Sequence, residues 1–158
     1  MSAQSTPTYE RSAKELVIRE SEFVNGGQFD RLGEVLAEDV VIEWPQSSER
    51  VRGIANFRAI LENAPGGNLQ ASSHTAALFP ESDEERFETP SRFKLVETEG
   101  YEDSATSVVK NRYRDGSEWF VISVVRASRG KIVQLVQYFA PLYDPPEWRA
   151  QWVEYTQD

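Results

Sequence analysis

ATSVVKNRYRDGSEWFVISVVRASRGKIVQLVQYF, residues 105–139, is the stretch whose reading decides the fold. Three runs rich in β-branched and aromatic residues follow one another, divided by Asp115-Gly116-Ser117 and Ser128-Arg129-Gly130. Asp-Gly between alternating apolar segments is the strongest local signal for a hairpin. The second divider puts Gly where a tight turn needs a positive φ. The spacing therefore predicts a three-stranded antiparallel meander over about 105–114, 118–127 and 131–140.

Upstream of the meander the pattern changes period. Tyr9, Ala13, Leu16, Val17, Glu20, Phe23 and Val24 recur at three- and four-residue spacing, which predicts a helix ended by Asn25-Gly26-Gly27. A second short helix is expected over about 28–37, with Phe29, Leu32, Val35 and Leu36 on one face. A strand follows over 39–44, closed by Pro45, then a polar loop over 46–53. A third helix, about 54–63, presents Ile54, Phe57, Ile60 and Leu61. Residues 64–90, with Gly, Ser, Pro and the acidic run Glu81–Glu85, read as a long loop, and 91–99 as a strand. After the meander, Asp144 and the pair Pro145-Pro146 predict a helix over 145–153 that caps the domain, with Trp148 and Trp152 bracing its mouth. Residues 1–7 are expected to be a disordered tail, and 8–158 a single domain.

Composition bounds the function. The chain has 158 residues, 39% of them hydrophobic, enough for one domain with a true core. It has no cysteine, so disulfides and thiolate chemistry are unavailable. No apolar run approaches the roughly 20 residues of a membrane span, and no signal pattern opens the chain; the expected location is the cytoplasm, with no membrane partner. A net charge of −9 repels phosphate backbones, which argues against nucleic acid as partner. His74 is the only histidine, so neither a Ser-His-Asp triad nor a histidine-rich metal site is supported. The acidic run at 81–85 lacks the spacing of a calcium loop.

Helices with one inserted strand, then a run of antiparallel strands, make an α+β arrangement. NGGQFDRLGEVLAEDVVIEWP, RGIANFRAIL and RGKIVQLVQYFAPL, in this order and spacing, resemble the nuclear-transport-factor-2-like superfamily, in its SnoaL-like and ketosteroid-isomerase-like branch. The resemblance covers about 9–143. It implies a cone-shaped, curved antiparallel sheet wrapped around the N-terminal helices (the cystatin-like α+β barrel), a cavity at the wide end, and pairing through the outer sheet face. Strand alternation then sorts the residues. With Ser123 inward, Trp119, Val121 and Val125 are inward too, and Phe120, Ile122 and Val124 form an outer apolar strip suited to a homodimer.

Within that frame Glu20 stands out, because a carboxylate on an apolar helical face loses hydration and its pKa rises toward the range of a general acid or base. It occupies the place where the isomerases carry an oxyanion-stabilising tyrosine. The bland alternative is a structural carboxylate paired with an arginine. The isomerase's catalytic acids fall on Trp44 and Ser123, and the Asp/Arg/Asp set of the epoxide hydrolases falls on Val109, Asn111 and Gln137. The aspartate that the cyclases carry after the last strand falls on Ala140. The known catalytic sets are therefore absent. What remains is an expected pocket of Trp44, Phe57, Val109, Ser123, Val125, Leu135 and Phe139, with Asn111 and Gln137 as neutral polar groups. Such a lining suits a small hydrophobic ligand bearing oxygens; the alternative is that these groups bond one another in a filled core. The sequence is compatible with a cofactor-free isomerase, cyclase or hydrolase-type acid–base enzyme in which Glu20, Asn111 and Gln137 act. It is equally compatible with a non-catalytic binding or interaction module of the same fold.

Overall fold

The alternation of residues 105–139 forms the predicted meander. A computed structural model of the chain describes residues 10–63, 92–112 and 117–156, with backbone alone at 92–96. The expected tail 1–7, the loop 64–90 with His74 and the acidic run, and the Asp115-Gly116 turn lie outside the described residues. Strands β4 (Ser104–Arg112), β5 (Glu118–Ser128) and β6 (Lys131–Pro141) pair antiparallel in sequence. At the β5–β6 turn both central residues are left-handed, Arg129 at φ 52° and Gly130 at φ 72°. That geometry matches the right-handed twist of the flanking strands.

Three further strands complete a six-stranded, curved and unclosed sheet: β1 (Leu36–Trp44), β2 (Glu49–Arg52) and β3 (Arg92–Gly100). The order is β2-β1-β6-β5-β4-β3, antiparallel except where β1 runs parallel to β6. Helix α1 (Ala13–Asn25) is capped by the Ser12 hydroxyl, which accepts from the Glu15 N–H at 3.3 Å. The Ala13 N–H donates to the Glu102 carbonyl at 2.9 Å, tying the start of the helix to the β3–β4 hairpin. The helix stops at Gly26, followed by Gly27 at φ 68°. Its buried stripe, with Leu16, Val17, Glu20, Phe23 and Val24, packs over β3–β6. Helix α2 (Ile54–Glu62) buries Phe57 and Leu61 against β1. Each fully buried Leu, Ile or Phe of this layer contributes roughly 1.5–3 kcal/mol.

Four expectations are corrected. The second helix is one 3-10 segment, Phe29–Glu34, and β1 already begins at Leu36. Gly33 is a weak helix former, while Leu36, Val40 and Ile42 are drawn into the core as strand residues. The polar loop 46–53 contains β2, whose one inward side chain is Val51. The sheet is not wholly antiparallel, since β1 pairs in parallel with the distant β6, Ile42 opposite Leu135. The segment read as a capping helix over 145–153 is a 3-10 turn, Glu147–Trp152, preceded by Pro146 with no side-chain cap, and it buries none of its residues. Trp148 and Trp152 are not buried against the described sheet or helices: they are 73% and 72% exposed.

Gly100, where β3 turns toward β4, is demanded by close approach. A Cβ there would stand 2.5 Å from the Ser104 carbonyl oxygen and 2.6 Å from Ala105 Cα, both backbone atoms that cannot swing aside. Gly100→Ala is expected to cost about 1–3 kcal/mol, measured as a lower urea midpoint with unchanged m-value.

Candidate functional site

The inner face of the sheet is built in cross-strand rows, fixed by register. One row is apolar: Ala105, Val125, Leu135 and Ile42 on β4, β5, β6 and β1. The next is polar: Thr98, Ser107, Ser123 and Gln137 lie opposite one another on β3, β4, β5 and β6. Beyond it Val109, Val121 and Phe139 make another apolar row, followed by Asn111 beside Trp119. All these side chains are buried. The rows follow from the two-residue period of strands, because every second residue of β4–β6 turns inward.

The polar row is ordered from one end. The Trp44 indole N–H donates to Gln137 Oε1 at 3.0 Å, and Gln137 Nε2 donates to Ser123 Oγ at 3.4 Å. Indole nitrogen is a donor only, so it fixes which way the Gln137 amide points. At the other end the buried hydroxyls of Thr98 and Ser107 have no hydrogen-bond partner among the described residues. Gln46 holds the neighbouring row by exchanging two hydrogen bonds with the Phe139 backbone, as a strand residue would.

Glu20 projects from α1 into the layer between helix and sheet, where it is 4% exposed. Among the described residues its hydrogen-bond partner is the Ser21 hydroxyl at 3.5 Å, a long contact, and no described cation pairs with it. Arg19, its neighbour, instead bonds Glu34 at 3.3 Å and lies over the Phe23 ring together with Arg31. Burial raises the Glu20 pKa from 4.5 to about 7, and the Ser21 hydrogen bond opposes this only weakly. A carboxyl of this kind exchanges its proton near neutral pH.

Every side chain anticipated as pocket-forming is thus buried on the inner face or, for Phe57, on α2 beneath it. Trp44, Ser123 and Gln137 are joined by hydrogen bonds; Glu20 is buried on α1, and Asn111 is buried on β4 opposite Trp119. Two grooves lined by described residues, of about 510 and 620 Å³, open on the surface and include none of these side chains. Thr98 and Ser107 escaped the sequence reading. The available signal was small hydroxyl residues in phase with Ser123 on neighbouring strands, which requires the register to be known.

The sign of the Glu20 shift gives a stability test. Its folded pKa lies above its unfolded one, so the native state holds the proton between about pH 4.5 and 7. The favourable protonated state is fully present below pH 4.5, and stability is lost as pH rises through 7, by on the order of 3 kcal/mol. Relative to wild type, Glu20→Gln should therefore gain stability as pH rises from about 4.5 to 7 and level off above it in urea denaturation. A difference that stays flat across this range would show that Glu20 is hydrated.

No family model matches the chain, and no curated protein matches it either. Solved structures do. A nuclear-transport-factor-2-like protein of unknown function from Burkholderia xenovorans LB400 superposes with a TM-score of 0.69 at 23% identity, over 92% of this chain and 95% of that one. A "putative ketosteroid isomerase" from Kribbella flavida DSM 17836 gives 0.70 at 20% identity, over 97% and 96%. An LEH-like epoxide hydrolase from M. tuberculosis gives 0.57 at 16% identity, over 80% and 81%. At these identities the likeness concerns backbone architecture, and the chain has the nuclear-transport-factor-2-like α+β fold.

Proposed function

We propose that the chain is a cofactor-free, SnoaL-like acid–base enzyme, of isomerase, cyclase or hydrolase type, acting on a small hydrophobic molecule that bears oxygen. One observation carries the reading: a buried carboxyl, Glu20, without a cation partner among the described residues, with a pKa of about 7, in the layer between α1 and the inner face. A group with that pKa is populated both as acid and as base at neutral pH, which suits proton transfer in either direction. Glu20 moves the proton; Asn111 and Gln137 orient a carbonyl or a water. The apolar rows on either side of the polar one, with Trp44, Phe57, Val109, Val125, Leu135 and Phe139, match a mostly hydrocarbon ligand. Architecture alone does not supply a reaction, so the weight rests on Glu20.

A second reading, a non-catalytic binding or interaction module, draws support from the hydrogen bonds that Gln137 already makes with Trp44 and Ser123. We further infer a homodimer through the outer face of β5, where Phe120 and Ile122 are half-buried and Val124 is 43% exposed. An apolar strip of this kind is seldom left to water.

The test uses 2-decalone, a neutral apolar ketone, in D2O. Wild-type protein should catalyse deuterium exchange alpha to the carbonyl, and Glu20→Gln should slow it by 10²-fold or more. Equal exchange by both proteins removes Glu20 from the role. Thermal stabilisation by the ketone with no exchange establishes the binding module instead.

A further inference from the structure

The last 15 described residues hold an unexplained surplus of apolar surface. β6 ends at Pro141, and the Leu142 N–H makes a final tie to the Glu118 carbonyl at 3.0 Å. Beyond it Pro145-Pro146 leads into the 3-10 turn Glu147–Trp152, which buries nothing. Tyr143, Trp148, Trp152 and Tyr155 are all between 63% and 75% exposed, more than Val124 or Tyr138 on the open sheet. Isolated exposed aromatics need no explanation, but four within 13 residues do.

We propose that this arm, residues 142–156, lies across the outer face of β5 and β6 of a second copy of the chain. The inference rests on the homodimer reading above and specifies what covers the face. Three observations favour a second copy. The first is area: a covered aromatic buries roughly 150–250 Å². Two arms with four rings each, about 70% exposed, remove on the order of 1,000 Å² from water. Counting the sheet surface they cover brings the total into the roughly 1,200–2,000 Å² of a stable dimer.

The second is charge. The arm carries Asp144, Glu147 and Glu154 against Arg149 alone. The outer face has its apolar strip, Phe120, Ile122 and Val124, with exposed Arg126 on β5 at one end and, at the other, Arg112 on β4 opposite Glu118 on β5; Glu97 and Glu99 lie on the same side of β3. The aromatic rings of the arm match the apolar strip, and its acids match the Arg126 end of it. An anionic lipid surface or a nucleic acid would instead meet like charge from the arm and from a chain of net charge −9.

The third is reach and continuity. The arm springs from the end of β6, whose own outward Tyr138 lies opposite Ile122 on β5 and belongs to the same patch. Fifteen residues span up to roughly 50 Å when extended, ample for crossing a sheet whose strands are about 4.8 Å apart. Association across a two-fold axis then satisfies both arms and both faces at once.

The experiment uses the full chain and sedimentation velocity over a concentration series. Wild type should be a dimer, and Trp148→Ala/Trp152→Ala should raise the dimer Kd by at least about 30-fold. Because both indoles are exposed, the double variant should keep the wild-type urea midpoint at protein concentrations where both are monomeric. Tryptophan emission supplies a second readout: Trp44 and Trp119 are already buried, so a blue shift on association reports the arm. Finally, a chain ending at Pro141 mixed with Val124→Arg should form a heterodimer that neither forms alone, since one arm and one intact face remain. If the double variant dimerises like wild type while Val124→Arg does not, the arm inference falls and the sheet-face dimer stands. A wild type that stays monomeric at 100 µM overturns both, as does one that sediments with phosphatidylserine vesicles only as a monomer.

Discussion

Everything on the inner face depends on the register of β5 against β6. The turn pairs Ser128 with Lys131 and Ala127 with Ile132; a bulge then shifts the ladder, so that Arg126 meets Gln134. One extra residue on β6 at this point reverses which side chains turn inward. That is why Ile132 and Leu135, three apart, are both buried, and why Gln137 and Phe139 follow them inside while Tyr138 faces out. Without the bulge, Gln134 and Tyr138 would enter the core and Gln137 would leave Trp44. The polar row, its hydrogen bonds and the surroundings of Glu20 all follow from this one local irregularity.

The helix–sheet layer then shows two ways of treating buried polarity. Trp44, Gln137 and Ser123 satisfy one another and hold a fixed arrangement, the usual condition for polar groups inside a protein. Glu20 is treated differently, since no partner among the described residues neutralises it and burial itself moves its proton equilibrium. A structural carboxylate would be expected to find Arg19, one residue away. That arginine is committed to Glu34 and lies over the Phe23 ring, one turn farther along the helix. The helix thus separates its cation from its buried acid by the simple fact that adjacent residues lie about 100° apart around its axis.

Much of this was legible in the sequence. The stripe through Leu16, Val17, Glu20 and Val24 placed the acid on the buried face, and Arg129-Gly130 placed the turn, because both signals are local. Strand β2 was not legible: four residues with one inward valine resemble a polar loop. The parallel pairing of β1 with β6 joins segments far apart in the chain, and no local pattern encodes it. Thr98 and Ser107 belong to the polar row only through cross-strand register. The last segment misled for a different reason. Its prolines and tryptophans mimic a capping helix, but a helix forms on a surface that buries one of its faces, and here the chain provides none.

Among the described residues the sheet is open and ends in β2 on one side and β3 on the other. Strand β2 is only four residues long and reads Glu49-Arg50-Val51-Arg52, charge alternating with charge around a single inward valine. A stranger's strand docking there would gain few backbone bonds and would strip water from three ionic side chains. Growth of the sheet by end-on addition is therefore discouraged at that border. The shortness and charge of β2 thus act as a stop on that side of the sheet.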